Sequence, residues 1–437
     1  MSANDHSTEG FDAIPDRHPA VTFLLFVGVV FASGAIAVGF KESALWTVQR
    51  YGNLRDPTWV AADLYRPLTV LIVAAATLCA ATIGRFVARR WPQQSGLESI
   101  AACARGEDRR ISLRATLLRG VSTWLCVVGL VPIGRESAIM ETGGAIGSTV
   151  GRRFGGRGAA MAAGGLSAAF AAAYHAPIAA VLYLEEHLRI RGSRRAATFA
   201  VGGAIGGHLL ATRLLGGTAI LPRVTGSWNQ LAVAGTIAIL PATLGARLLL
   251  ELRTVVARSA PRSDQRARWW LNAVVGALVA GSVVAIYPLA AGNGMDALRR
   301  SAALGVVGAG FALALGLGKA VGVSSAFRAG VPGGAMTPSM TVAAGSSLSV
   351  VLVFHALGGG EVYVWGVVVL SAAVGVGVGL RAPLTAIVML PEMAGQLSLI
   401  PATALIVGVA TLVDRRIDLG VRRLGNRLPT AIRDEDG

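Results

Sequence analysis

The chain of 437 residues is 53% hydrophobic and only 15% charged, with a mean hydropathy of +0.59. Soluble globular proteins carry about 25% charged residues, and disordered chains are poor in apolar residues, so the composition excludes both classes. The formal net charge of +16 would indicate nucleic-acid binding only if the basic residues formed one surface. They lie in short arginine clusters between apolar runs, so we expect no nucleic-acid partner.

The N-terminal 20 residues are polar, carry acids and lack the basic region of a signal peptide. We therefore expect residues 1–20 to form a cytoplasmic tail. Apolar runs follow as far as residue 415, and some reach about 20 residues, the length that spans a bilayer. Others are interrupted by Gly and Pro, which membranes tolerate only at cavities or within protein. The pattern predicts an all-α polytopic membrane protein of tilted, broken helices, with residues 416–437 as a short cytoplasmic segment.

Arginine clusters at residues 85–114, 253–268 and 415–433 flank the apolar runs. Short basic loops lie in the cytoplasm by the positive-inside rule, and their arginines contact lipid headgroups. We expect a multi-pass protein of the bacterial inner membrane with both termini in the cytoplasm. The three cysteines lack metal-ligand spacing, and we expect no metal and no cofactor.

Two pairs of segments repeat along the chain. Residues 176–186 read APIAAVLYLEE and residues 382–392 read APLTAIVMLPE, so that Pro aligns with Pro and Glu with Glu at an offset of 206 residues. A looser pair aligns residues 134–138 (GRESA) with residues 334–338 (GAMTP), at an offset of 200.

Matching motifs at helix breaks are typical of transporters built from two inverted repeats, whose binding site lies at the repeat interface. We therefore predict a first transmembrane repeat over residues 21–225 and a second over residues 226–415.

Three glycine-containing breaks form the candidate anion site: residues 95–98 (SGLE), 134–138 (GRESA) and 330–338 (GVPGGAMTP). A helix N-terminus presents unpaired N–H groups and the positive end of the helix dipole. Glycine lets the backbone approach a ligand closely. Several such helix ends together bind an anion without a full positive charge, which suits an ion that must also leave.

These motifs, in this order, resemble those of the CLC family of chloride channels and chloride/proton antiporters, from about residue 20 to 415. SGLES resembles the family's GSGIP, GRESA resembles GREGP, and GVPGGAMTP resembles GxFxP with its lead-in. The resemblance implies a homodimer in the lipid bilayer, with one pore per subunit, that exchanges chloride for protons. It implies an anion site formed by Ser95, Gly96, Gly134, Arg135, Gly334, Ala335 and Met336.

Glu136 matches the family's gating glutamate, and the resemblance implies that it is both gate and external proton carrier. A carboxylate beside anion-binding helix ends can take an anion's place, and its protonation weakens its hold on the N–H groups. An ionisable group within apolar sequence is a functional hypothesis by default. The alternative is a structural ion pair with Arg135.

The internal proton acceptor of the antiporters lies ten residues after the Pro of the AP segment, which here is His187 counted from Pro177. Glu186, one residue earlier, aligns with Glu392 of the second repeat and is interpreted as a structural acid. His titrates near pH 6.5 and can transfer protons. A slip of one residue would give the role to Glu186, and a histidine at a cytoplasmic helix end that only meets water is the other alternative.

The sequence also departs from the family pattern. Glu98 replaces the Pro of GSGIP, Met336 replaces the Phe of GxFxP, and no tyrosine follows Tyr363 to match the family's central tyrosine. A passive chloride channel is therefore the main alternative function. Ser95 disfavours a fluoride/proton antiporter, and the absence of HExxH, GxSxG and paired aspartates disfavours an intramembrane enzyme.

Overall fold

The computed structural model describes residues 18–52, 57–154, 157–190, 193–217, 219–221, 223–259, 266–294, 297–298, 308–359 and 363–427. Within these ranges the regular structure is α-helical, with two 3-10 turns at Pro288–Ala290 and Leu397–Leu399. The first half contains α1 (Pro19–Gly52), α2 (Pro57–Asp63), α3 (Arg66–Arg90), α4 (Leu97–Ala104), α5 (Leu113–Val128), α6 (Glu136–Phe154), α7 (Gly158–Tyr174), α8 (Pro177–Glu186) and α9 (Arg194–Leu215). The second half contains α10 (Trp228–Arg258), α11 (Arg266–Ile286), α12 (Ala309–Arg328), α13 (Met336–Ala356), α14 (Val364–Gly379), α15 (Pro383–Met393) and α16 (Ile400–Arg427).

Seven of the described helices are long and apolar enough to cross a membrane, namely α1, α3, α10, α11, α12, α13 and α16. Three shorter apolar helices, α7, α14 and α15, lie between them. Large apolar side chains on α1 point outwards, and Phe31 is 62% exposed, as expected of a surface that meets lipid. The prediction of an all-α polytopic membrane fold with long and short helices is confirmed.

Glycines spaced four residues apart on α6 allow it to pack directly against α7. A Cβ atom at Gly147 would lie 1.9 Å from the Met161 carbonyl oxygen, and one at Gly143 would lie 2.3 Å from the Gly165 carbonyl oxygen. Small residues let the backbones of membrane helices approach closely, which is the main attraction available between helices in lipid. Much of the glycine excess therefore serves helix packing as well as helix breaks.

The same break geometry recurs in both halves of the chain. The turn between α7 and α8 places His175 in the left-handed region at φ 53°, and the turn between α14 and α15 places Arg381 there at φ 54°. Ala and Pro follow each of these residues, and Pro begins the next helix. The predicted boundary at residues 225/226 lies between α9 and α10, and α16 continues beyond residue 415 to Arg427.

Candidate functional site

The glycine breaks at residues 134–138 and 330–338, one from each half of the chain, meet in the interior. The Gly134 N–H donates to the Gly334 carbonyl at 2.9 Å, and the Gly334 N–H donates to the Gly134 carbonyl at 2.8 Å. Helix α6 begins at Glu136 and α13 begins at Met336, each two residues after its bridging glycine. The N-termini of both helices, with their unpaired N–H groups and positive dipole ends, therefore lie side by side.

The Glu136 side chain lies at this junction and is only 3% exposed. Its Oε1 accepts a hydrogen bond from the Thr337 hydroxyl, and its Oε2 has no hydrogen-bond partner among the described residues. A Cβ atom at Gly134 would lie 2.3 Å from Oε2, and one at Gly334 would lie 2.9 Å from it. The carboxylate therefore occupies space that these glycines leave open. In the described structure it bonds to Thr337 rather than to Arg135.

Two further residues of this site, Tyr174 and Thr337, are not among the site residues predicted from the sequence. The Tyr174 hydroxyl lies 3.2 Å from Thr337 Oγ1, and both side chains are buried. Thr337 directly follows Met336 in the third glycine break, and Tyr174 ends the otherwise apolar run AAFAAAY. A single hydroxyl side chain within apolar membrane sequence is the sequence feature from which both positions could have been picked out as candidates.

Ser95 and Gly96 form the turn that precedes α4. Gly96 has a φ of 97°, which favours glycine, and its carbonyl accepts from the Ile100 N–H at 3.1 Å. A Cβ atom at Gly96 would lie 3.8 Å from an Arg119 guanidinium nitrogen. Arg119 forms a bidentate ion pair with the buried Glu141 of α6, at 2.9 and 3.2 Å. The Arg119 side chain thus lies between the first glycine break and α6.

A cavity of about 860 Å³ lies beside the third break. Its lining contains three arginines and no carboxylate among the residues that the structure describes. They are Arg85, Arg89 and Arg119, with Trp269 and the backbone of residues 330–333 alongside. Glu141 offsets the charge of Arg119, and the remaining positive side chains at the cavity attract counter-ions, here anions.

His187 lies at the edge of a second cavity of about 510 Å³. Its Nδ1 is 2.8 Å from the Leu380 carbonyl oxygen. Because a carbonyl only accepts, Nδ1 carries the proton and Nε2 is the nitrogen that can gain one. The ring stacks on Tyr183 at 4.8 Å between centroids. Charged side chains line the same cavity, namely Glu98, Arg105, Glu186, Arg189 and Arg381.

Glu186 is engaged in a reciprocal contact between α8 and α15, which lie in different halves of the chain. Its carboxylate accepts from the Leu384 N–H at 2.9 Å and from the Thr385 N–H at 2.8 Å, in the first turn of α15. Glu392, near the end of α15, accepts from two N–H groups in the first turn of α8, both at 2.9 Å. Each acid therefore caps a helix in the other half of the chain, while the adjacent His187 ring bonds to the Leu380 carbonyl through Nδ1.

Aromatic rings connect the two ends of the site. The Phe170 ring centroid lies 5.1 Å from that of Tyr174 and 5.1 Å from that of Tyr183. Tyr174 reaches the Glu136 end through Thr337, and Tyr183 stacks on His187. The two residues for which a proton role is predicted thus lie at opposite ends of one column of packed side chains.

Broken helices whose starts are paired are typical of membrane transport proteins, and the comparisons place the chain in a family of ion transporters, not enzymes. A model of the family described as voltage gated chloride channel matches residues 75–415, and the chain belongs to this family, the CLC proteins. The resemblance drawn from the sequence motifs is confirmed.

Similar proteins are found in bacteria and among solved structures. The H(+)/Cl(-) exchange transporter ClcA of Klebsiella pneumoniae (strain 342) is 27% identical over 414 residues, which cover 88% of this chain and 84% of the relative. The voltage-gated ClC-type chloride channel ClcB of Salmonella dublin is 28% identical over 329 residues, or 71% and 75% of the two chains.

The fold is similar to that of a slow cyanobacterial Cl-/H+ antiporter, with a TM-score of 0.68 and 21% identity over 92% of this chain and 99% of the other. It is also similar to that of a CLC-type fluoride/proton antiporter, with a TM-score of 0.71 and 19% identity over 91% and 96% of the two chains.

Proposed function

We propose that this protein is a chloride/proton antiporter in which Glu136 is the gate and the external proton carrier. The observation that carries the proposal is the placement of the Glu136 carboxylate between the N-termini of α6 and α13. A carboxylate and a chloride ion compete for the same place beside the two helix ends, because a helix N-terminus attracts either anion. The relative named as an H(+)/Cl(-) exchange transporter supports the same function.

Protonation of Glu136 opens the site in this mechanism. The neutral carboxyl group loses its charge–dipole attraction to the two helix ends and withdraws from them. Chloride then binds the N–H groups of Arg135, Ala335 and Met336, because the Gly134 and Gly334 N–H groups already bond to each other's carbonyls. Ser95 and Gly96 bind it on the side of α4. The arginine-lined cavity supplies anions to this path without holding them by a direct ion pair.

His187 is the internal proton acceptor in this mechanism. It faces a cavity, and its Nε2 can bind a proton while Nδ1 stays bonded to Leu380. The neighbouring Glu186 holds the first turn of α15, which supports a structural rather than a proton-transfer role for that acid.

The test is proton movement driven by a chloride gradient in proteoliposomes. We expect the wild-type protein to move protons in the direction opposite to the chloride flux. We expect His187→Ala to keep chloride flux while losing most proton movement. His355→Ala, which removes an exposed histidine in the last turn of α13, is the matched control. Chloride flux without proton movement in the wild-type protein would show a passive channel. Fluoride flux that exceeds chloride flux would assign the protein to the fluoride-transporting class.

We also propose a homodimer with one pore per subunit and both termini in the cytoplasm of a bacterial cell. The family resemblance supports the dimer. The arginines around the His187 cavity support the orientation, because positive residues are retained on the cytoplasmic side. Cross-linking in membranes tests the dimer, and labelling of a cysteine placed at residue 189 with an impermeant reagent tests the orientation.

A further inference from the structure

Three buried oxygen atoms follow one another beside the helix junction. They are Glu136 Oε1, the Thr337 hydroxyl and the Tyr174 hydroxyl. Thr337 belongs to α13 in the second repeat, and Tyr174 ends α7 in the first. Neither hydroxyl has a role in the mechanism described above.

The direction of these hydrogen bonds follows from the number of protons available. An ionised carboxylate only accepts, and a threonine hydroxyl has one proton to donate. Thr337 gives that proton to Glu136, so the contact between Thr337 and Tyr174 requires the tyrosine to donate. Tyr174 therefore fixes the orientation of the Thr337 hydroxyl, whose proton points at the place of the carboxylate.

Withdrawal of the carboxylate leaves this donor without its acceptor in a buried site, which is costly. We propose that the Thr337 hydroxyl is a direct ligand of the transported anion once Glu136 has left, and that Tyr174 is the residue that positions it. The inference rests on the proposed function and adds a side-chain donor to the backbone N–H groups. An anion in the vacated place accepts a charge-assisted hydrogen bond from Thr337.

Chloride binding to the detergent-solubilised protein tests this assignment by calorimetry. The background is Glu136→Ala, in which the carboxylate no longer competes. Thr337→Val in that background is expected to weaken chloride binding roughly tenfold or more, as for a lost hydrogen bond to a charged group. Thr337→Ser restores a donor and is expected to restore most of the affinity. Thr337→Ala is a second donor-free variant, should the valine variant not fold.

Tyr174→Phe tests the positioning role, because it removes only the hydroxyl. It is expected to weaken chloride binding severalfold when Thr337 is present and to have no further effect when Thr337 is Val, since the tyrosine acts through the threonine. Thr236→Val and Tyr287→Phe are matched controls, each losing one hydroxyl that bonds to a backbone carbonyl on α10 or α12.

Equal chloride affinity with and without the Thr337 hydroxyl would overturn the inference and leave the proposed function standing. Additive effects of Tyr174→Phe and Thr337→Val would overturn the positioning role. A wild-type protein that moves no chloride in proteoliposomes, with no chloride binding in the Glu136→Ala background, would overturn the proposed function as well.

Discussion

Replacing Glu186 by Gln separates the structural acid from the proton acceptor beside it. The Glu186 carboxylate accepts bonds from the Leu384 and Thr385 N–H groups and from the Thr385 hydroxyl at 2.9 Å. Glutamine keeps one acceptor oxygen but turns an NH₂ group toward a backbone donor. The variant therefore loses at least one charge-assisted bond and the attraction between a full negative charge and the start of α15.

The expected cost follows from these two losses. A hydrogen bond to a charged group contributes about 1.5–3 kcal/mol. The charge at a helix N-terminus adds about 0.3–1 kcal/mol. The sum is about 2–4 kcal/mol of unfolding free energy, which corresponds to a fall of several degrees in Tm. The fall in Tm is measured by heating the detergent-solubilised protein. Size-exclusion chromatography then gives the fraction that remains monodisperse at each temperature.

Glu392→Gln is the matched variant, because Glu392 makes the corresponding contact in the other repeat with two bonds instead of three. It is expected to lower the Tm by a similar or smaller amount, whereas Glu42→Gln, an exposed acid on α1, is expected to leave it unchanged. Proton coupling in proteoliposomes is expected to survive in Glu186→Gln. Unchanged thermal stability together with lost proton coupling would refute the reasoning and make Glu186 the internal proton acceptor.

Three further predictions concern the helix junction and its surroundings. Glu136→Gln fixes the side chain in a neutral form, and we expect chloride flux to continue without proton movement in the proteoliposome assay. Gly134→Ala places a Cβ atom 2.6 Å from the Gly334 carbonyl oxygen, so overpacking is expected to cost about 1–3 kcal/mol in thermal challenge and to lower chloride flux. Arg119→Gln leaves Glu141 buried without its partner, and we expect a loss of about 3–5 kcal/mol and a low yield of folded protein.

Each of these has its own control. Proton movement that persists in Glu136→Gln would remove that residue from the proton path. Gly39→Ala adds a Cβ atom with nothing within 4 Å, so a loss as large as that of Gly134→Ala would contradict the steric argument. The double variant Arg119→Gln/Glu141→Gln is expected to recover folded protein, because the uncompensated charge is gone. Failure to recover would locate the role of Arg119 elsewhere.

The features that were predictable from sequence are those encoded by short segments. The alternation of apolar runs with Gly and Pro breaks indicates an all-α membrane fold, and the breaks at Gly134 and Gly334 are indeed paired. The alignment of Glu186 with Glu392 indicates a shared structural position, and both acids accept bonds from the first turn of a helix in the other repeat. A local pattern is enough to predict these positions because the same Pro and Glu spacing occurs once in each half of the chain.

The remaining parts of the site depend on contacts between distant segments. Thr337 meets Glu136 across 201 positions of sequence, and Tyr174 meets Thr337 across 163. No spacing rule links residues on α6, α7 and α13, since their approach depends on how glycine-rich helix faces pack. Glu136 and His187 were predictable as separate candidates, but the column of rings between them follows only from the packed structure.

The reciprocal caps also have a consequence for how the chain is made. The Ile178 N–H in the first turn of α8 finds its acceptor in Glu392, 214 positions later. At about 5–20 residues per second, the ribosome needs roughly 10–40 s to supply that acceptor. Throughout that time the start of α8 has a backbone N–H without this partner, and the hydrocarbon region offers no water to replace it. We therefore expect α8 to reach its final depth only after α15 has been synthesised. The two halves of the chain then enter the membrane one after the other but complete their insertion together.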